Sequence, residues 1–162
     1  MKIRKARLDD IPEIGHVFER AILEIGPRFY SRDQLNAWIK RRARLETVLP
    51  EVLPYRDGWV AVEADDKPLA YLDLEKDGHI DFFYAHPSVA GTPVTGEMYA
   101  NLEARALELG ISRLSTEASE AARRFFEKRG FQVLRKQDIE LGGVMIHNYA
   151  MEKQLTPATA LA

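Results

Sequence analysis

At Gly58 the pattern of apolar residues changes from three- and four-residue steps to short β-prone runs, and after Gly96 it changes back. A chain that switches period in this way must interleave helices with a sheet. Before the switch, Ile3, Ala6 and Leu8 read as a short strand, with Asp9 at a helix N-cap position and Pro12 in the first turn. Ile11, Ile14, Val17, Phe18, Ala21, Ile22 and Ile25 then share one face of a helix that Gly26-Pro27 ends. Ser31 caps a second helix, with Leu35, Trp38, Ile39 and Leu45 inward, before a connection from Pro50 to Asp57.

Beyond Gly58, Trp59 to Glu63, Pro68 to Leu74 and His79 to His86 are short strands separated by the polar connections Asp65-Asp66-Lys67 and Lys76-Asp77-Gly78. Connections this short predict an antiparallel meander. A helix from Glu97 ends at Gly110, Ile111 to Glu117 is a strand, and Ser119 caps a helix ended by Gly130. Phe131 to Glu140 and Val144 to Glu152 pair across Gly142-Gly143. The expected fold class is α/β (α+β), a mixed, mostly antiparallel sheet flanked by helices, in the order β-α-α-β-β-β-α-β-α-β-β. At 162 residues and 46% apolar content it forms one domain over 1–155, with a frayed tail from Thr156 to Ala162.

The chain has no cysteine, which excludes a disulfide scaffold, a thiolate nucleophile and a cysteine-ligated zinc. Its formal charge of -2 gives no global attraction to nucleic acid or anionic lipid. The segment Met1 to Arg7 is charged where a signal peptide needs an apolar stretch, and no run approaches the ~20 apolar residues of a membrane span. A soluble cytoplasmic protein is expected. His16, His86 and His147 have no metal-ligand spacing, so no metal is expected.

After the strand ending at His86 the chain reads Pro87-Ser88-Val89-Ala90-Gly91-Thr92-Pro93-Val94-Thr95-Gly96 and enters a helix. Such a turn is either an ordinary strand-to-helix connection or a pyrophosphate cradle, because a helix N-terminus presents free N–H groups and a positive dipole end. Three further blocks bear on the choice. They are Ile3-Arg4-Lys5-Ala6 with Asp10, then Tyr84-Ala85-His86-Pro87, then Ser119 through Ala122, Phe125 and Phe126 to Gly130-Phe131. Together they resemble the GNAT superfamily of acetyl-CoA-dependent N-acetyltransferases over nearly the whole chain. The resemblance implies acetyl-CoA as co-substrate and an amine acceptor, with direct acetyl transfer in a ternary complex. Tyr84, Ala85, His86, Ala90, Gly91, Thr92, Val94, Thr95, Gly96, Ser119, Ala122 and Phe126 fall at its cofactor-binding positions. The loop departs from the family pattern, whose signature positions fall on Ala90, Pro93 and Thr95, and Pro93 has no N–H to donate.

Acetyl transfer to an amine needs a neutral amine, an oxyanion donor and a route for the leaving thiolate. The resemblance assigns the donor to a backbone N–H among Tyr84, Ala85 and His86. For the base, His79 and Asp81 lie two apart on one strand and therefore on one face, so they can couple or act through water. A strand-end histidine beside a carboxylate bonded to backbone is the alternative. Glu117 is a third candidate, or a solvated carboxylate before Ser119. Phe126 stands where many members of the superfamily keep an acidic tyrosine, and it either lines the pantetheine arm or packs the core. Phe29, Tyr30 and Trp38 wall the acceptor side, or pack the helices.

Lys40-Arg41-Arg42 with Arg44 is a basic cluster that is either a solvated helix face or a contact for an anion: the cofactor phosphate, an acidic acceptor or nucleic acid. Overall acidity argues against nucleic acid, although Arg123-Arg124 adds a second basic pair. The expected partner is a small-molecule or peptide amine, with no nucleic acid and no membrane; a homodimer is compatible with the sequence. The rival reading is a non-catalytic acyl-CoA-binding or protein-interaction module that keeps the fold.

Overall fold

The computed structural model describes residues 1–156, so most of the expected tail, residues 157–162, lies outside the described residues. The first strand, β1 (Lys2–Lys5), is tied to the chain that follows by a fork: Arg4 donates to both carboxylate oxygens of Asp10 at 2.8 Å. Asp10 also accepts the Arg7 N–H at 2.7 Å. Asp10 takes the N-cap position of helix α1 (Ile11–Glu24), one residue after the expected cap Asp9, which lies within a short 3-10 turn.

Ser31 and Gln34 form a reciprocal capping box that starts α2 (Arg32–Ile39). The expected second helix is in fact two, broken at Lys40-Arg41, with α3 (Arg42–Val52) running through Pro50. Pro50 falls in the last turns, where its ring disturbs few remaining bonds, so the helix ends only after it.

Strands β2 (Asp57–Val62) and β3 (Pro68–Leu74) pair antiparallel, with β1 on the outer side of β2. Both central strands are buried on two faces. Trp59 and Ala61 face one core while Val60 and Val62 face the other, so the strands read as continuous apolar runs. Helices α1 to α3 cover the second face. The first is covered by α4 (Pro93–Glu108) and α5 (Glu120–Glu127), through Met98, Tyr99, Leu102, Ala106 and Phe126.

The expected fourth strand divides. Its start, β4 (His79–Ile80), pairs parallel with β6 (Arg113–Ala118); its continuation, β5 (Phe83–Ala85), pairs antiparallel with β3. Two four-stranded sheets result, β1-β2-β3-β5 and β4-β6-β8-β7, with β7 (Gln132–Leu141) and β8 (Val144–Gln154) forming the last hairpin. The mixed, mostly antiparallel α/β class is the one expected.

Asp73 holds the division open. Its side chain is fully buried, and Oδ1 accepts the N–H of Asp81 at 3.2 Å and of Phe82 at 2.9 Å. Oδ2 accepts from the Tyr71 hydroxyl at 2.9 Å and from Arg56 at 3.0 Å. Where the strand leaves one sheet for the other its backbone donors need a partner, and this carboxylate supplies it. Burial pushes the Asp73 carboxyl up to about 6, against the pull of the Phe82 N–H and of Arg56.

Candidate active site

Beyond Ile80 and Thr116, β5 and β6 diverge, and the gap opens into a cleft of about 530 Å³. Register parity decides which backbone groups face it. The His86 N–H bonds to Leu69 O and the Asp73 N–H to Phe82 O, so Tyr84, between them, spends its N–H on Tyr71. The N–H groups of Phe83 and Ala85 then point away from β3, toward the gap. Of the three donors considered from sequence, Ala85 alone is aimed there, and Phe83 joins it. The His86 ring is turned to Ser88, at 2.7 Å from its hydroxyl.

At one end of the cleft is the N-terminus of α4. Thr92 is extended and Pro93 occupies the first helical position, four residues before the expected start at Glu97. The proline's fixed φ suits that position, and a first-position N–H would have no partner inside the helix. Gly91 has φ +75 with open space around it. Within the loop, Val89, Ala90 and Thr92 spend their N–H groups on neighbouring carbonyls, and among the described residues those of Gly91 and Val94 have no backbone partner.

Cations reach the cleft from another element. On α5 and in the turn that follows it, Ala121, Ala122, Arg124, Phe125, Lys128 and Arg129 recur at three- and four-residue steps and line the cleft. The Arg129 guanidinium lies 3.5 Å from the Phe125 ring centroid and donates to Phe125 O at 2.9 Å. A Cβ added to Gly96 would stand 2.8 Å from Arg129 Nη2, so the glycine admits the arginine beside the first turn of α4. Burial draws the Arg129 pKa below its ordinary value, and the group stays cationic. Arg28 completes a set of four cations with Arg124, Lys128 and Arg129, and none of them forms an ion pair among the described residues. Glu24, also on the wall, is paired with Arg20.

Phe29, Tyr30, Trp38, Tyr84, Ala85, Ala90, Gly91, Thr92, Thr95, Ser119 and Ala122 all line this cleft. Ser119 caps α5 by accepting the Ala122 N–H at 3.2 Å, which leaves its hydroxyl proton free to donate. The Tyr30 hydroxyl accepts the Glu120 N–H and donates to His147 O, both at 3.1 Å, pinning the α1–α2 connection to the start of α5. Burial raises the pKa values of Tyr30 and Tyr84.

Other expected residues lie off the cleft wall. Val94 packs against the core, and Phe126 is 1% exposed beneath the wall, packed on Phe131, Phe83 and Tyr99. His79 and Asp81 are drawn apart by the division of their strand. His79 Nδ1 lies 3.1 Å from Ser115 Oγ, whereas Asp81 is held by Arg56 at 2.8 Å. Glu117 is exposed on β6, opposite Ala150.

Sequence reasoning read Arg124 only as half of a basic pair and missed Asp73, Arg28, Lys128 and Arg129, together with a cluster in which Glu120 Oε1 accepts from Tyr149 at 2.5 Å and meets His147 Nε2 at 2.8 Å. The periodicity of α5, continued into the turn after it, was the available signal for Lys128 and Arg129. Nothing local marks Asp73, whose partners come from four separate positions.

Known proteins with the same architecture share its sequence pattern. The family profile described as "Acetyltransferase (GNAT) domain" matches residues 29–153. The chain is 26% identical to the uncharacterised N-acetyltransferase YafP of Escherichia coli, over 93% of this chain and 94% of that protein. It is 30% identical over 99 residues to the peptidyl-lysine N-acetyltransferase YjaB of Salmonella typhimurium, covering 61% of this chain and 66% of the relative. A GCN5-related N-acetyltransferase from Rhodopseudomonas palustris superposes with a TM-score of 0.85 at 27% identity, over 95% of each chain. With the profile spanning most of the chain and the divided strand opening onto the cleft, the protein belongs to the GNAT family of acetyltransferases.

Proposed function

We propose that the protein moves the acetyl group of acetyl-CoA to a primary amine of a peptide or small molecule, by direct attack while both substrates are bound. The observation that carries this reading is one continuous cleft that joins a cationic end at α4 to the open edge of β5. The N–H groups of Gly91 and Val94, with Lys128 and Arg129, suit a pyrophosphate; Ala122, Phe125 and Ala85 suit the thin arm that follows it. Bound acetyl-CoA supplies an activated thioester whose carbonyl oxygen gains negative charge as the amine adds. In this reading the N–H groups of Phe83 and Ala85, which point away from β3, stabilise that charge as backbone donors whose action no side-chain change removes.

The amine must lose a proton to attack. Arg28 and Arg124 bring uncompensated positive charge to the acceptor side, which disfavours a protonated amine. His79, Asp81 and Glu117 lie outside the wall, so in this reading they act only through water. Departure as thiolate needs no tyrosine at Phe126, since a thiol pKa near ~8.5 is accessible. The name of YjaB supports lysine side chains as acceptors.

Thiol release from acetyl-CoA in the presence of lysine peptides and small amines tests the activity. Arg129→Gln is expected to weaken acetyl-CoA binding, measured by calorimetry, by about 10- to 100-fold, the value of one charge-assisted hydrogen bond. A protein that binds no acetyl-CoA at millimolar concentration would not be an acetyltransferase of this kind. His79→Gln should change the pH profile with acetyl-CoA binding intact; an unchanged profile removes the histidine from the reaction.

A further inference from the structure

The break between α2 and α3 gives the basic cluster a place of its own. Lys40, Arg41 and Arg44 line a second recess of about 490 Å³, whose opposite wall is the β7–β8 turn with Glu140, Leu141 and Gly142. Arg42, in the same run, is turned away and is ion-paired with Glu19 and Glu46. Asp33 and Glu140 also line the recess, yet Lys40, Arg41 and Arg44 form no ion pair among the described residues. Away from the cleft and this recess, Arg4 is met by Asp10 and Asp66, and Arg56 by Asp73, Glu75 and Asp81. Three unmet like charges in a concave site repel one another and are relieved by an external anion.

The recess adjoins the acceptor side of the cleft. Helix α2 presents Trp38 to the cleft and Asn36 and Ala37 to the recess, with Lys40 just past its end, so the two are separated by about 10 Å, the width of a helix. An extended peptide covers that separation in about three residues.

We propose that this recess binds an acidic side chain of a peptide acceptor, about three residues from the lysine whose amine enters the cleft. The inference rests on the amine-acetylation reading above. It makes the recess a selectivity site with no part in the chemistry, and its ligand chemistry is a carboxylate.

Two fluorescent lysine peptides, one with aspartate three residues from the lysine and one with asparagine there, are compared in anisotropy titrations and in acetylation. The acidic peptide is expected to be favoured about fivefold in both, less so as salt is added. The preference should vanish in the protein carrying Lys40→Gln and Arg44→Gln, which turns over the asparagine peptide at the wild-type rate. Equal handling of the peptides, or a preference that survives the double substitution, overturns the inference while leaving acetyl transfer standing. If acetyl-CoA does not bind, the cleft reading fails, and the anisotropy difference still decides the recess. Acetylation of free aspartate with the same dependence on Lys40 and Arg44, without any effect on peptides, would assign the carboxylate to a small molecule and overturn the peptide assignment.

Discussion

A single buried carboxylate does what a run of sheet hydrogen bonds would otherwise do. Asp73 accepts the two N–H groups released where β4 ends and β5 begins, and its second oxygen is held by Tyr71 and Arg56. Asparagine keeps one acceptor oxygen but turns an amide NH2 toward the Arg56 guanidinium, whereas alanine abandons both N–H groups as well. Asp73→Asn is therefore expected to lower unfolding free energy by about 2 kcal/mol, and Asp73→Ala by more, in urea titrations. Equal losses would mean that the contacts to Asp81 and Phe82 contribute nothing. Arg129 shows the converse arrangement: a cation without an acid partner among the described residues, braced on Phe125 and held against Gly96, where a carboxylate would have neutralised it.

At the level of elements, the close approach of β4 to β6 depends on Gly78. It has φ +96, and an added Cβ would stand 2.2 Å from the Arg113 carbonyl oxygen, a backbone atom that cannot swing aside. Gly78→Ala should cost about 3 kcal/mol in denaturant unfolding, against about 1 kcal/mol for Gly91→Ala, whose positive φ lies in open space. Similar losses at the two sites would refute the crowding at Arg113. Element types were largely legible, because α1, β2, β3 and α5 announce themselves through period and caps such as Ser31 and Ser119. The division of the fourth strand was not. His79 to His86 contains no glycine, proline or polar connection to mark a break, and the cause of its parting is Asp73, on the neighbouring strand. For the same reason the expectation that His79 and Asp81 couple could not anticipate Arg56, which comes from before β2 and takes Asp81 for itself. The cleft wall was legible where motifs mark it, from Tyr84 to Thr95 and at Ser119. Lys128 and Arg129, just past α5, went unread because charged residues at a helix end are ordinarily solvated.

Across the whole molecule, carboxylates with opposite shifts set the dependence of stability on pH. Burial raises Asp57 and Glu120, but hydrogen bonds from Lys5 and Arg105, and from Tyr149 and His147, outweigh it and hold both below their ordinary values. Their contribution is present above the unfolded values near ~4 and is lost as pH falls through the depressed folded values. Asp73 runs the other way: its contribution is complete below about 4 and is lost as pH rises to its folded value of about 6. The melting temperature is therefore expected to rise from about pH 7 to about pH 5 and to fall below about pH 4, with the first change absent in Asp73→Asn. A melting temperature that falls steadily from neutral pH would contradict this assignment. The same carboxylate has a kinetic consequence. With the parting of the strands already satisfied from within, an incoming ligand meets a slot that needs no opening step, and its arrival is limited by encounter and by the attraction of the four unpaired cations. Stopped-flow binding of acetyl-CoA should then give one phase whose rate rises linearly with concentration and falls with salt; a plateau would reveal a gate that the free protein must first unlock.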